Sequence, residues 1–529
     1  MARAKRGDTL SVTIDDLAFG GEGVGRVEGY VVFVPGGIPG DRLQVRLDQA
    51  RARFGRGTIA RVESPSPYRV AAPCPYFGRC GGCRLQHVAY PAQLAFKSKQ
   101  VADCLERLGG LGSFELRPII GAPDPYGYRN KMEFTVARAV YRPSPHATTA
   151  GRAGDASSGD ATAGARAGDS PGDASSGEAA RQGRAGDSPG ARPDEPHRGE
   201  EAQPRRDVID SQPSPMVIIG LHEADRYDSV LDIERCLLQS DRMNTLLVEA
   251  RRFFIERGFS GYDQESGEGL LRFLMLREGT RTSEAMVNVV TAAPAVSELE
   301  PLAGRLQARV PETASVVMTV NPKKASVAIG VEEHLLAGRD HIRESLGGLT
   351  FQVSPGSFFQ TNTAQAERLF ELVLESACLE GPETVVDLYS GTGAISLLLA
   401  RRCRWVYGIE VAPAAVADAV RNAAANGIAN CTFLAGEVRF ALPSLLAKGV
   451  AAEVVVADPP RAGFHPKALH ALVTLRPSRL VYVSCNPATL ARDVAELVRA
   501  GYRLEWVQPV DMFPHTSHIE VIARLSRGA

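Results

Sequence analysis

The stretch DLYSGTGAISLLLA at residues 387–400 decides the fold, because it joins the end of an apolar strand to a helix through a glycine-rich turn. Asp387 ends the strand, and Gly391 and Gly393 precede the helix. Glycines in such a turn let a ligand approach the backbone closely at the carboxyl end of a strand. The spacing departs from G-x-G-x-x-G, since no third glycine follows Ala394 at the required place.

Short apolar segments alternate with helical stretches from about residue 383 onward. The strand-like segments are TVVDLYS, WVYGIEV, CTFLAGE, EVVVADPP and RLVYVSCNP, and stretches such as PAAVADAVRNAAANG lie between them. This alternation predicts an α/β fold, a parallel sheet with helices on both faces. The last segment, residues 502–525, predicts two more strands that close the sheet in the antiparallel direction.

Acidic side chains follow the ends of these strands, where ligands bind in such sheets. Glu410 ends the second strand, 23 residues after Asp387, and an acid there can accept hydrogen bonds from both ribose hydroxyls. A glycine turn alone is weak evidence, but together with this acid it predicts a nucleoside cofactor. Asp458 follows the strand VVVA and precedes two prolines, which either fix a ligand-binding loop or form only a rigid turn.

Two further residues are candidates for catalysis. Cys485, in SCNP after RLVYV, is a candidate nucleophile at a strand end, although a lone cysteine is more often a small buried apolar residue. Glu520 begins the apolar strand EVIARL and either points into the site or is a solvated strand end. We interpret the neighbouring His515 and His518 as structural.

Three cysteines lie close together in CPYFGRCGGC, spaced C-x5-C-x2-C: Cys74, Cys80 and Cys83. This grouping indicates a zinc or iron–sulfur site, which spacing alone does not separate. The fourth ligand would be Cys104 or Cys236. A redox disulfide is not expected, because the chain has the character of a cytosolic enzyme.

The composition limits the remaining possibilities. The 529-residue chain has a net charge of −1 and is 44% apolar, and it contains no apolar run long enough for a membrane span and no secretory signal. Several short strands at residues 10–62 predict a small barrel of the oligonucleotide-binding type. Residues 143–215, rich in Gly, Ala, Ser, Asp and Arg, predict a disordered insertion within a hairpin.

Together, these motifs resemble the RNA uracil-5-methyltransferase family, in particular its TRAM-containing 23S ribosomal RNA enzymes. FFQTN at 358–362, DLYSGTG, GIE, DPPR and SCNP occur in the family's order. The resemblance implies a TRAM barrel at 1–66, a central α+β iron–sulfur domain at 67–142 and 216–355, and a Rossmann-like class I methyltransferase domain at 356–529.

The resemblance also implies roles for individual residues. The implied contacts to S-adenosylmethionine are Gln360, Tyr389, Glu410, Glu437 and Asp458. The implied ligands of a 4Fe–4S cluster are Cys74, Cys80, Cys83 and Cys236. In YRNKMEF, the candidates for RNA contact are Arg129, Asn130 and Lys131. Ala394 departs from the family, many members of which carry a polar residue at this position.

The implied reaction is methylation of carbon 5 of a uridine in RNA. Cys485 would attack carbon 6, and Glu520, 35 residues later, would remove the proton from carbon 5. We expect a monomeric, cytoplasmic enzyme that acts on 23S ribosomal RNA and not at a membrane. The alternatives are a transfer RNA uracil-5-methyltransferase, a methyltransferase for another base, and a catalytically inactive RNA-binding protein.

Overall fold

The computed structural model describes residues 4–138, 217–325, 327–328 and 330–528. The insertion expected at 143–215 therefore lies outside the described residues. Among the residues described, no helix is both long enough and apolar enough to cross a membrane.

The described residues form a barrel, a hairpin and two larger sheets, with helices packed on the larger sheets. The strands are β1 Thr9–Leu17, β2 Glu22–Val27, β3 Tyr30–Pro35, β4 Arg42–Ala50, β5 Phe54–Ser64, β6 Glu115–Leu116, β7 Lys131–Arg138, β8 Val217–Glu223, β9 Arg226–Asp232, β10 Leu271–Glu278, β11 Ala285–Thr291, β12 Thr313–Val320, β13 Glu332–Gly338, β14 Ile342–Leu346, β15 Leu349–Val353, β16 Thr384–Leu388, β17 Trp405–Glu410, β18 Cys431–Ala435, β19 Val454–Ala457, β20 Arg479–Ser484, β21 Tyr502–Val510 and β22 Glu520–Arg527. The helices are α1 Tyr90–Asp103, α2 Asp241–Glu256, α3 Val296–Arg309, α4 Thr363–Ala377, α5 Ala394–Ala400, α6 Pro413–Ala425, α7 Val438–Ala447, α8 Pro466–Leu475 and α9 Pro487–Arg499.

The N-terminal strands close into a five-stranded barrel in the order β1-β2-β3-β5-β4. Alternate apolar residues of β1, β3 and β4 point inward and form its core, as expected for a small barrel in which successive side chains face opposite sides. The barrel expected from residues 10–62 is therefore confirmed.

The central sheet has seven strands in the order β13-β12-β11-β10-β7-β8-β9. Its apolar face packs against α2 and α3. β7 and β8 are antiparallel neighbours, which agrees with the hairpin expected on either side of the insertion. β10 and β11 are also antiparallel neighbours.

The third sheet, built mainly from residues 384–527 and named the C-terminal sheet, has eight strands in the order β18-β17-β16-β19-β20-β22-β21-β6. The strands from β18 to β20 are parallel, and β22 is antiparallel to both of its neighbours. Successive side chains along these strands point to opposite faces of the sheet and form two cores. One core includes residues of α4 and α5, and the other includes residues of α7, α8 and α9. This is the α/β architecture that the alternation of strands and helices predicts.

One segment is placed differently from the expected domain boundary. Residues 67–142 are expected in the central domain, but β6 pairs with β21 at the edge of the C-terminal sheet. The end of α1 and the π-helical turn that follows it, Cys104–Leu108, pack there too, since Val101 and Leu105 belong to the core beneath α9. The physical reason is that the helix has an apolar face, whose partner lies about 390 residues later and cannot be inferred from local sequence.

Candidate functional site

The strand order of the C-terminal sheet creates a crevice at the carboxyl ends of β16 and β19. The chain runs from β16 outward to β18 and then returns to the other side of β16 to form β19. Ligands of open α/β sheets bind at such a switch point. Asp387 lies in β16, and Asp458 follows β19 directly, so both acids lie at this crevice.

The glycine turn after β16 is open to a ligand. Gly391 has a φ of 53°, and no atom lies within 4 Å of the place where a side chain would begin. Gly393 has a φ of 84° and is closely packed, because a Cβ there would lie 3.0 Å from Ala419. The first glycine thus leaves room for a ligand, while the second lets the start of α5 pack against α6.

Glu410 lies beside this turn, as the sequence analysis expects. One of its carboxylate oxygens accepts a hydrogen bond from the backbone N–H of Gly391 at 3.1 Å, and the other accepts one from Ala412 at 2.8 Å. The half-buried carboxylate is therefore held at the edge of the crevice, with both oxygens oriented by the backbone.

Two buried polar atoms at the turn have no hydrogen-bond partner. Asp387 Oδ2 accepts a hydrogen bond from Ser396 at 2.5 Å, but its Oδ1 is unpaired, as is Ser390 Oγ. Burial, together with the neighbouring Asp458 and Glu410, raises the pKa of Asp387 to about 7. Unpaired buried oxygens are costly, so they mark a place where a polar or cationic ligand would be favoured.

The structure brings Cys485 and Glu520 together. Ser484 at the end of β20 is paired with Val521 of β22. Cys485 and Glu520 are the next residues outward on these antiparallel strands, so they face each other at the edge of the sheet. Neither the strand ends nor the 35-residue spacing could establish this proximity without the register.

Acidic neighbours and burial set the protonation of this pair. Burial, then Glu520 and Asp458, raise the pKa of the Cys485 thiol to about 11. Burial and Asp458 also raise the pKa of Glu520 well above its ordinary value. The cationic Arg461, which follows Asp458 in DPPR, opposes both shifts.

Gln360 lies in a loop that is held from several sides. Asn130 donates hydrogen bonds to the carbonyl of Gln360 at 3.0 Å and to the hydroxyl of Thr363 at 2.9 Å. Arg277 donates to the carbonyl of Ser357, and Asp418 of α6 accepts from the hydroxyl of the same serine. Asn130 is itself buried, so the expectation that it contacts RNA is corrected: it joins the central sheet to this loop.

The other expected cofactor residues have distinct surroundings. Tyr389 has a φ of 66°, a strained conformation for a residue with a side chain, and burial raises its pKa to about 12. Glu437, at the start of α7, is exposed and forms an ion pair of 2.6 Å with Arg439. Ala394 is the first residue of α5 and packs against the apolar core.

Sequence reasoning missed a set of buried residues that stabilise the segment leading to Glu520. Lys97 of α1 and Asp511 form a buried ion pair of 2.6 Å, and Tyr90 donates a hydrogen bond to the same carboxylate at 2.9 Å. His515 is also structural: it accepts a hydrogen bond from Gln93 through its ring. Helical periodicity places Lys97 on α1 but gives no signal that it is buried.

The four expected cluster cysteines line one cavity of about 370 Å³. The cysteine loop is fixed to the end of β8, where Gly81 N–H donates to the carbonyl of His222 at 3.0 Å. Cys236 is held through its backbone N–H, which donates to Asn244 at 2.9 Å. Arg129 and Lys131 line the same cavity, and Cys104 lies elsewhere, against the core beneath α9.

The expected metal centre is not confirmed. Across residues 4–138, 217–325, 327–328 and 330–528, no group of three or more His, Cys, Asp or Glu side chains is arranged to hold a metal ion. The four cysteines share a cavity that also has apolar walls, including Met132, Leu221 and Ile233. A single zinc ion would need all its sulfur ligands about 2.3 Å from the metal. A cluster of four irons instead occupies the space between its ligands, so it suits cysteines that are spread around a cavity.

Comparisons with known proteins identify the family to which the chain is similar. A family model described as tRNA (Uracil-5-)-methyltransferase matches residues 325–527, and a TRAM domain model matches residues 3–60. A protein of Halalkalibacterium halodurans named as an uncharacterized RNA methyltransferase is 36% identical, covering 99% of this chain and 98% of its own length. A protein of Chlorobaculum tepidum with the same description is 37% identical over 99% of this chain and 98% of its own.

One solved structure is similar over the full length. It is the tRNA (uracil-54, C5)-methyltransferase of Pyrococcus abyssi in complex with S-adenosyl-L-homocysteine, which is 26% identical with a TM-score of 0.66. The similarity covers 98% of this chain and all of the other.

Proposed function

This chain belongs to the RNA (uracil-5-)-methyltransferase family of S-adenosylmethionine-dependent enzymes, and on that premise we propose that it methylates carbon 5 of a uridine in RNA through a covalent bond to Cys485. The observation that carries the proposal is the placement of Cys485 opposite Glu520, at the edge where the cofactor crevice opens. A nucleophile and a base at one sheet edge are the two groups that this reaction requires.

The crevice offers a fitting site for S-adenosylmethionine. The open glycine Gly391 and the unpaired oxygens of Asp387 and Ser390 lie at one end. Near Glu410, Val411 and Phe440 leave apolar side chains more than half exposed, at 58% and 57%, which suits the faces of an adenine ring. We propose that Glu410 binds the ribose and that Gln360, Tyr389, Glu437 and Asp458 complete the site.

The residues of the chain divide the chemistry between them. S-adenosylmethionine, when bound, supplies a methyl group on a positively charged sulfur. The Cys485 thiolate bonds to carbon 6 of the uracil, which gives carbon 5 the electrons to take that methyl group. Glu520 then removes the remaining proton from carbon 5, and the bond to Cys485 breaks to regenerate the thiolate. The raised pKa of Glu520 makes its carboxylate a stronger base for this step.

We propose that the cysteine cavity holds a 4Fe–4S cluster bound by Cys74, Cys80, Cys83 and Cys236. Four thiols and apolar walls around one cavity fit such a cluster. Methyl transfer needs no electron transfer, so the cluster would order the adjoining segment that carries Arg129 and Lys131. We propose that these two residues contact RNA.

Iron and acid-labile sulfide assays on anaerobically purified protein should give four of each per chain. A content near zero would contradict the assignment.

The expected substrate is 23S ribosomal RNA, by the resemblance of the TRAM domain and the cysteine motif to ribosomal enzymes. Transfer RNA is the second candidate substrate. The similarity to the tRNA (uracil-54, C5)-methyltransferase of Pyrococcus abyssi favours transfer RNA. Mass spectrometric mapping of 5-methyluridine in both RNAs from a deletion strain decides between them, since the modification disappears from the true substrate alone.

The covalent mechanism has its own test. Cys485→Ala should abolish methyl transfer while it leaves S-adenosylmethionine binding, measured by calorimetry, nearly unchanged. Retained turnover would exclude the covalent mechanism and favour methylation of another base, such as adenine at N6. Absence of cofactor binding in the wild-type protein would instead favour an inactive RNA-binding protein.

A further inference from the structure

The loop that follows Asp458 is held in place by the first two turns of α9. The carbonyl of Arg461 accepts hydrogen bonds from Asn486 Nδ2 at 3.1 Å and from Thr489 Oγ1 at 3.2 Å. Arg492 Nη2 donates to the carbonyl of Ala462 at 2.9 Å. Because α9 begins directly after Cys485, these bonds fix the backbone of Arg461 relative to the proposed nucleophile.

The side chain of Arg461 is held by a histidine. Its Nη2 lies 3.1 Å from Nδ1 and 3.2 Å from Nε2 of His518. Among the described residues, no carboxylate forms an ion pair with this guanidinium, although two acids lie nearby. His518 lies two residues before Glu520, so one short segment carries both the acceptor and the proposed base.

The imidazole of His518 is neutral in this setting. Burial, together with the cations Arg461, Lys97 and Arg129, lowers its pKa to about 4. A neutral ring nitrogen accepts a hydrogen bond without cancelling the positive charge of the donor. A carboxylate in the same place would hold the guanidinium equally well but would neutralise it.

The charge of Arg461 therefore acts on the groups it faces. These are the Cys485 thiol at the end of β20 and the Glu520 carboxyl at the start of β22. Glu520 and Asp458 disfavour a thiolate at Cys485, and Arg461 is the cation that favours it.

We infer that His518 is a positioning residue: it holds the guanidinium of Arg461 beside Cys485 and Glu520 without neutralising it, so that the arginine stabilises the Cys485 thiolate. The inference rests on the proposed function of Cys485 as nucleophile, but it concerns the resting enzyme. It can therefore be tested without RNA, cofactor or turnover.

The experiment measures alkylation of Cys485 in the full-length protein by iodoacetamide between pH 6 and 11. The thiolate sulfur displaces iodide from the reagent, so the rate follows the thiolate fraction. Peptide mass spectrometry separates Cys485 from the other eight cysteines.

The pKa of the Cys485 thiol is about 11, so the shift is measured on the rising part of the profile below pH 10. We expect Arg461→Met and His518→Ala each to move this rise by about one unit towards higher pH, since a neighbouring opposite charge shifts a pKa by one to three units. At pH 8 the alkylation rate should fall about tenfold. His518→Gln keeps a neutral acceptor and should restore the wild-type profile, and His470→Ala, an exposed histidine on α8, is the matched control.

Two results would overturn the inference. One is an unchanged Cys485 profile in a folded Arg461→Met protein. The other is a His518→Gln profile that is shifted as far as that of His518→Ala, which would mean that the imidazole acts only through packing. An RNA defect confined to KM in Arg461→Met, with an unshifted alkylation profile, would assign the arginine to RNA binding instead.

The test is separable from the proposed function. If the alkylation profiles shift as expected but no 5-methyluridine forms on any RNA, the inference about His518 stands and the proposed substrate fails. If uridine methylation is found and the profiles do not shift, only the inference about His518 fails.

Discussion

Asp511 and Glu520 lie nine residues apart and both are buried, but their carboxyl groups have opposite surroundings. Asp511 faces Lys97 at 2.6 Å and Tyr90 at 2.9 Å, so its charge is paired. Glu520 faces Asp458 and Cys485, and Arg461 is the cation that opposes them.

This difference distinguishes a carboxylate that stabilises the fold, because it is paired with a cation, from carboxyl groups that can take part in chemistry, because they are not. The Lys97–Asp511 pair connects α1 to the loop before β22. It thereby fixes the position of Glu520, the first residue of β22. Asp387, Asp458 and Glu520 lack paired cations of this kind, and their raised pKa values favour the protonated forms and make binding of a positively charged ligand favourable. The variants below test each side of this comparison, beginning with the largest expected effect.

Replacing the carboxyl group of Glu520 with an amide should stop the reaction after the bond to RNA has formed. Glu520→Gln cannot take the proton from carbon 5, so turnover should fall about 10²- to 10⁴-fold. A protein–RNA adduct should accumulate and survive a denaturing gel. The double variant Glu520→Gln/Cys485→Ala is the control and should form no adduct. Wild-type turnover in Glu520→Gln would exclude this carboxylate as the base.

Removing the partner of Asp511 should destabilise the fold. Lys97→Met leaves a fully buried carboxylate without its cation, which costs about 3–5 kcal/mol in free energy of unfolding, as measured by urea denaturation. Lys99→Met, two residues away on the same helix, removes two partly exposed ion pairs, to Asp16 and Asp103, and should cost about 1 kcal/mol or less. Equal losses in the two variants would show that the buried pair does not anchor the loop.

The acid in β16 should make stability depend on pH. The pKa of Asp387 is about 7 in the folded protein, against an ordinary value of 3.8. Its contribution to stability is therefore fully present below about pH 4 and is lost as pH rises through 7, by on the order of 1 kcal/mol per pH unit. Subtracting the unfolding free energies of Asp387→Asn from those of wild type should isolate this slope. A flat difference between pH 4 and 8 would contradict the raised pKa.

The smallest effect is expected when an exposed acid of the proposed cofactor site is removed. Glu437 pairs with Arg439 at the surface, where an ion pair is worth about 0–1 kcal/mol. Glu437→Ala should therefore weaken S-adenosylmethionine binding by no more than about threefold, as measured by calorimetry. Glu410→Ala, which removes a half-buried carboxylate held by two backbone N–H groups, should weaken it more. The reverse order would mean that Glu437, and not Glu410, is the main acidic contact of the cofactor.

Much of the fold was predictable because its signals are local. The pairing of β10 with β11 follows from adjacent apolar segments with a turn between them, and that of β7 with β8 from the apolar segments that flank the insertion. The parallel part of the C-terminal sheet follows from the alternation of strands and helices. Because ligands bind at the carboxyl ends of such strands, Asp387, Glu410, Asp458 and Cys485 could be identified as candidates from position alone.

The remaining features depend on contacts between distant segments. Asn130 looks like part of an exposed basic motif, yet it is buried against a loop 230 residues later. Lys97 has the composition of a surface residue, and its partner lies 414 residues away. Among the candidate fourth cysteines, Cys236 lines the cavity with the other three and Cys104 does not, a difference that spacing could not reveal.

The sequence by itself determined the order of strands and helices, the barrel at the N-terminus and the chemical types available at each strand end, because hydrophobic periodicity and turn residues act over a few positions. Only the tertiary structure decided that Glu520 faces Cys485, that His518 holds Arg461 and that Lys97 is buried. Those relations arise from strand register and helix packing, which bring together residues that local sequence leaves independent.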